Sequence, residues 1–371
     1  DAAETATLTV TTGDAVFSSI LLTDGAAGAA VLNLGTSDGS TAVTGNITSA
    51  ADSTGLLNVD RDATITGNIG TGIVAGTTAF ATVNVAQGEV LTVTGTTNVD
   101  ALNLGVLTGT VATGATFAGN TTIGTLTMGT HADDAANTLT FNTANGTIAA
   151  DITLAAGDTG DTNTIAINEV GDDAGSLLTW ANEITAAHLI DAIDVGTTTL
   201  AGQAKFSSNV DADAISIIGG NVAAEASQIE FLGNVVGATT LDSNTGGATA
   251  LFSSTSAQTV TGAFIATADD DGILSVTNTH ASGLTVNGSI GVTTGNKGIG
   301  AIHIASSSKL TQKALVTTAV TFDVTGDIDD GATTAGRGGN LTISAGDATT
   351  TGVGTVGGAV TLATIAGSVL L

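Results

Sequence analysis

Cysteine is absent from the 371 residues, and with it go every disulfide, every thiolate nucleophile and every thiolate-bound metal. Tyrosine is absent as well, tryptophan occurs once and phenylalanine nine times, so aromatic residues are 3% of the chain. A broad globular core normally relies on large rings. This core must be thin and regular enough for Val, Ile, Leu and Ala to meet without voids. Proline is missing too, where ordinary usage would supply roughly 18. Proline removes a ladder donor and is tolerated only at sheet edges or bulges, so its absence suits a chain hydrogen-bonded on both sides along most of its length. Cations are scarce: 6 Lys+Arg face 34 Asp+Glu, for a net charge of -28, which excludes the basic footprint of a nucleic-acid binder. No apolar run reaches the roughly 18 residues of a membrane helix. No basic segment followed by an apolar one opens the sequence, which reads as a mature chain or a processed fragment.

What is present is small and apolar. Hydrophobic residues make up 42% and charged residues only 11%, enough apolar surface to fold despite the acidity. Short alternating runs rich in β-branched residues recur between Gly, Asn and Asp, as at Thr5–Thr12, Val90–Thr94, Ile273–Thr277 and Leu341–Ser344. Period and composition make these strands. Many share a core of the form apolar-Thr-Gly-Asn-apolar: VTGNI from Val43, ITGNI from Ile65, FAGNTTI from Phe117, FSSNV from Phe206, FLGNV from Phe231, VTGAF from Val260, VNGSI from Val286 and VTGDI from Val324. Gly45 to Gly67 is 22 residues, Gly95 to Gly119 is 24, Ser208 to Gly233 is 25 and Gly262 to Gly288 is 26. Such a period predicts an all-β fold, a repetitive parallel β-solenoid of about fifteen coils with two or three short strands each. Tandem antiparallel β-sandwich domains are the competing architecture. One segment, Leu177–Ile193, places Trp180, Ile184, Ala187 and Ile193 near helical spacing and predicts a short helix. The expected organisation is thus a β-repeat region over 1–176, a helical excursion over 177–195, and a second β-repeat region over 196–371 that ends in an uncapped apolar strand.

The series Thr66–Gly72 (TGNIGTG), Phe117–Gly129 (FAGNTTIGTLTMG) and Leu284–Ile304 (LTVNGSIGVTTGNKGIGAIHI) resembles the passenger region of large bacterial autotransporters of the rickettsial outer-membrane protein B type. The resemblance implies a β-solenoid that coats a cell surface. It departs from that family in lacking the C-terminal membrane barrel, whose strands would be aromatic-rich.

Candidate chemistry is confined to acidic turns. Asp269, Asp270 and Asp271 stand adjacent, and Asp327, Asp329 and Asp330 form a second group. Oxygen-rich turns of this kind suit Ca²⁺, although Asx-turns alone also explain aspartate there. Neither the EF-hand loop nor the glycine-rich calcium nonapeptide occurs. The four histidines lie far apart, Trp180 is the lone sugar platform, and no serine elbow or phosphate loop is present, so an enzyme is not expected. At the C-terminus Val369, Leu370 and Leu371 form an apolar end that expects a partner, most simply a second copy of the chain. The reading is therefore an extracellular structural protein that assembles with itself into a filament or surface layer through strand edges or terminal coils, with no required cofactor. The alternative is an adhesin that displays a binding face to cell-surface glycans.

Overall fold

The computed structural model describes residues 5–11, 15–24, 29–35, 39–71, 79–105, 111–128, 136–143, 148–154, 162–169, 177–188, 190–268, 271–291, 298–305, 307–313, 321–324, 328–329, 340–344, 353–356 and 369–370. It is a parallel β-solenoid. Strands within the stack pair with parallel neighbours one coil before and one coil after, the first strands Ala6–Val10 and Ala15–Leu22 only with the coil after, and the chain alternates between two sheets. Parallel neighbours cannot be joined by a tight hairpin; here the return path is the strand of the opposite sheet. The uniformly parallel pairing excludes the antiparallel sandwich alternative.

Contacts group the chain into two units. The first comprises Asp1–Val170, Gly175–Asn182 and Ala186–Asp191; the second comprises Gly171–Ala174, Glu183–Thr185 and Ala192–Leu371. In the first unit one sheet contains Ala6–Val10, Ala30–Leu34, Thr54–Val59, Phe80–Val85, Thr97–Leu104 and Thr121–Met128 in that spatial order. The other contains Ala15–Leu22, Ser40–Ser49, Asp62–Thr66, Val90–Val93, Thr113–Phe117, Ala136–Thr143 and Thr162–Glu169. The second unit repeats the arrangement, with Gln203–Phe206, Ser227–Phe231, Ala248–Phe252, Asp271–Val276 and Ile299–Ile304 in one sheet and Val210–Ile218, Val235–Asp242, Gln258–Thr261, Leu284–Val286 and Lys309–Lys313 in the other.

The alternation seen in the sequence explains the core. In a strand, successive side chains face opposite ways, and pairing in register stacks like on like between coils. Leu32, Leu57, Val83, Leu102 and Leu126 form one inward column of the first unit. Val43, Ile65, Val93, Phe117, Phe141 and Ile167 form the facing one. All eleven are buried. The scarce aromatics are concentrated in such columns. Phe206 stacks on Phe231 with ring centroids 6.0 Å apart, Phe231 on Phe252 at 5.1 Å, and Phe264 meets Phe252 edge-on at 5.9 Å. In the first unit Phe141 lies 6.3 Å from Phe117 and 6.4 Å from Trp180, edge-on to the latter.

The helix expected at 177–193 is not formed. Leu178–Trp180 is a strand paired in parallel with Ile148–Leu154, and its burial alternates, with Leu178 and Trp180 inward. Ala186–His188 is a single 3-10 turn, and Ala187, assigned to the apolar face, is exposed. Ile184 is buried instead through coil-to-coil pairing: its N–H donates to the Asn209 carbonyl at 3.0 Å and its carbonyl accepts from the Asp211 N–H at 2.9 Å. Ile193 belongs to the strand Ala192–Val195. The apparent helical spacing came from apolar residues that enter the core from successive straight segments of one coil.

Truncation of a stacked ring tests this packing. Phe231→Ala opens a void between two neighbours that cannot close on it, and is expected to cost about 3–5 kcal/mol, read as a lowered denaturation midpoint. Exposed Thr261→Ala should shift it far less.

Candidate functional site

The Thr-Gly-Asn motif and its variants occupy one corner of successive coils, and the glycines there stack. A Cβ on Gly67 would collide with the Gly45 carbonyl, one on Gly95 with the Gly67 carbonyl, and one on Gly119 with the Gly95 carbonyl; in the second unit Gly262 meets Gly237 and Gly288 meets Gly262 in the same way. The corner is so tight that each backbone rests on the one below. Gly237 also holds φ at +119°, a conformation open to glycine at little cost.

The motif asparagines clamp successive coils. Asn46 Oδ1 accepts the Asn68 N–H at 3.0 Å, and Asn68 Oδ1 accepts the Thr96 N–H at 2.7 Å. In the second unit Asn209 Oδ1 accepts the Asn234 N–H and Asn234 Oδ1 accepts the Thr259 N–H, both at 2.8 Å. Corner amides that leave the strand ladder are thereby satisfied. The strongest repeat in the sequence is a structural device.

A second asparagine column escaped the sequence reading. Asn33, Asn58, Asn84 and Asn103 are in register on an outward face, each Nδ2 donating to the previous Oδ1 at 2.9, 3.0 and 2.9 Å. A signal existed in the tripeptides LNL at Leu32–Leu34, LNV at Leu57–Val59, VNV at Val83–Val85 and LNL at Leu102–Leu104.

Of the acidic turn residues, Asp271 is buried at 6% exposure. Its Oδ1 accepts the Ser243 N–H at 2.7 Å and its Oδ2 the Thr267 hydroxyl at 2.8 Å, so it ties two turns together. Asp269, Asp270, Asp327 and Asp330 lie outside the described residues, and Asp329 is placed only as part of the short strand Ile328–Asp329. Val369 and Leu370 form a strand paired with Asn340–Ser344, and Leu371 lies outside the described residues. Among the described residues no three His, Asp or Glu side chains converge on a point that would hold a metal ion.

A concavity of about 250 Å³ lies in the second unit between Glu183, Ile184, Asn209, Asp211, Asn234 and Val236. Its amide groups are largely committed: Asn209 Nδ2 donates to Glu183 Oε1 at 2.7 Å while both asparagine oxygens serve the corner clamp.

Among the described residues, two carboxyls are perturbed. Burial alone would raise Glu230, but hydrogen bonds from Ser253 and Lys205 and the charge of Lys205, whose Nζ lies 2.9 Å away, outweigh it and hold the carboxyl below its ordinary value of 4.5. Both side chains of the pair keep solvent contact, which limits it to about 0–1 kcal/mol. Asp60 is shifted upward from 3.8 by burial.

No family model matches the chain, and no curated protein or solved structure matches it either. The class established is therefore that of the fold, a two-sheet parallel β-solenoid. Among the described residues no helix is long and apolar enough to cross a membrane.

Two measurements check this account. Gly95→Ala forces the Gly67 and Asn68 contacts apart and should cost about 1–3 kcal/mol, as overpacking does. For Asp60 the raised folded pKa means that its contribution is most favourable below pH 3.8 and is lost as pH rises through the folded value. Asp60→Asn should therefore raise the melting temperature at pH 7 and leave it nearly unchanged at pH 3; Glu230→Gln should do the reverse, losing stability at pH 7 and little below its folded pKa.

Proposed function

We propose that the chain is an extracellular structural subunit that builds a filament or surface layer by adding coil to coil, and that its work is mechanical. The carrying observation is the strand Ala6–Val10. Leu8 belongs to the inward column of Leu32 and Leu57 by register, yet it is 45% exposed where both of those are 0%. Ala6 to Thr9 are all exposed. Among the described residues nothing pairs with the outer edge of this strand, and an uncovered parallel edge of backbone N–H and C=O groups is a template for another strand. A further parallel strand continues the stack there, and where a second copy supplies it the contact is heterologous and propagates.

The resemblance of Thr66–Gly72, Phe117–Gly129 and Leu284–Ile304 to surface-coating autotransporter passengers supports the extracellular setting. The commitment of the repeated motif asparagines to coil-to-coil clamps supports the mechanical role.

Negative-stain electron microscopy tests the reading. Wild-type chain at high concentration should form strings or sheets, and Leu8→Lys, which places a charge at the open end of the core column, should abolish them. Dispersed wild-type particles at every concentration would overturn it.

A further inference from the structure

The first unit carries a surface unlike the rest of this acidic chain. On the outward side of the sheet that runs from Ala15–Leu22 to Thr162–Glu169, threonines are arrayed in register. Thr64, Thr92, Thr116 and Thr140 form one column. Thr44 and Thr66 are paired beside it on one side, and Thr138 and Thr164 on the other. Neighbours along a column are about 4.8 Å apart and columns about 6.6 Å apart, as the strand spacing and the two-residue repeat dictate.

Three further observations single out this face. Little charge stands on it: among the described residues of the three columns spanned by Ser40–Thr44 and their partners, the one ionisable group is Asp62, and its carboxylate accepts the Val90 N–H at 2.8 Å. The matching sheet of the second unit presents Asp194, Asp211, Asp213 and Asp242 instead. It also holds exposed apolar side chains, Val16 at 77%, Leu21 at 60% and Val90 at 41%; Val16 and Leu21 are outward by register with Thr44 and Thr48. Finally, the other sheet of this unit spends its outward amides on one another in the Asn33–Asn103 column, whereas a threonine hydroxyl is both donor and acceptor and can serve a partner.

The geometry points to this threonine face as a lateral contact with a second copy of the chain, face against face about a two-fold axis. Two molecules of charge -28 repel wherever acidic turns meet, and an uncharged patch is where they approach at least cost. Hydroxyl and methyl groups on a regular grid are self-complementary, as a two-fold contact requires. Seven neighbouring strands at about 4.8 Å, with three columns across, give a patch of roughly 500 Å² per copy, so the contact buries on the order of 1,000 Å² in all. That is the lower bound of a specific interface, and the association is accordingly weak and strengthened by salt, which screens the surrounding acids. The contact is independent of end-wise stacking, so each can fail without the other.

Sedimentation velocity on the full chain carrying Leu8→Lys, which blocks end-wise growth, tests it. The weight-average mass should climb with concentration toward twice the 35.6 kDa monomer, and further as sodium chloride is raised from about 0.05 M to about 0.5 M. Adding Thr64→Glu and Thr116→Glu should hold it at the monomer, whereas Thr82→Glu, outward on the opposite sheet, should leave it unchanged, with circular dichroism confirming that both variants fold. A Leu8→Lys chain that stays monomeric under all conditions overturns the proposal. So does a folded Thr64→Glu, Thr116→Glu chain that associates as strongly as the Thr82→Glu chain.

Discussion

Parallel pairing between each strand and the strand one coil away fixes where every side chain goes. Because the pairing is in register, the residue type at one position is stacked on the residue type at the equivalent position of the next coil, and every choice is repeated along a column. Leucine on leucine fills the interior; asparagine on asparagine links the outside; glycine on glycine lets the corner close. A misplaced residue is felt mainly by its two neighbours, which is why stability in such a fold behaves as a sum of local terms.

The small mean size of the side chains follows from the same constraint. With a thin interior bounded by two sheets, a ring fits only where its partners above and below are also rings or leave space. The Phe206, Phe231 and Phe252 stack is that solution. Charge is handled in the opposite way. A column of carboxylates along the stack would repeat the same repulsion at every coil, and outward columns of the first unit are built mainly of Thr, Asn and Ala, with single aspartates such as Asp62 between neutral neighbours. Lys205 and Glu230 show the exception, neighbours in register with opposite charge.

Much of the fold was legible because its period is written into the chain. The Thr-Gly-Asn corners sit a coil apart, and their spacing pointed to a solenoid before any pairing was known. The segment around Trp180 misled because periodicity was judged over one stretch, while the relevant neighbours of Trp180 are Ala150 and Phe141, distant in sequence. The Asn33–Asn103 column was overlooked since asparagine is read by habit as a turn residue, and only register shows that these four face one another. Among the acidic turns, Asp271 accepts hydrogen bonds from Ser243 and Thr267, partners that residue type alone does not reveal.

The asparagine column also exposes the chain to chemical ageing. Asn58 and Asn84 each donate to one neighbour and accept from the other. Hydrolysis of Asn58 to aspartate would leave its new carboxylate with no proton to give Asn33, while Asn84 could still donate to it. A second such event at Asn84 would set two negative charges one strand spacing apart, about 4.8 Å, in a place built for neutral groups. Damage would thus grow worse where it had already begun, passing from coil to coil along the column with each slow loss of ammonia.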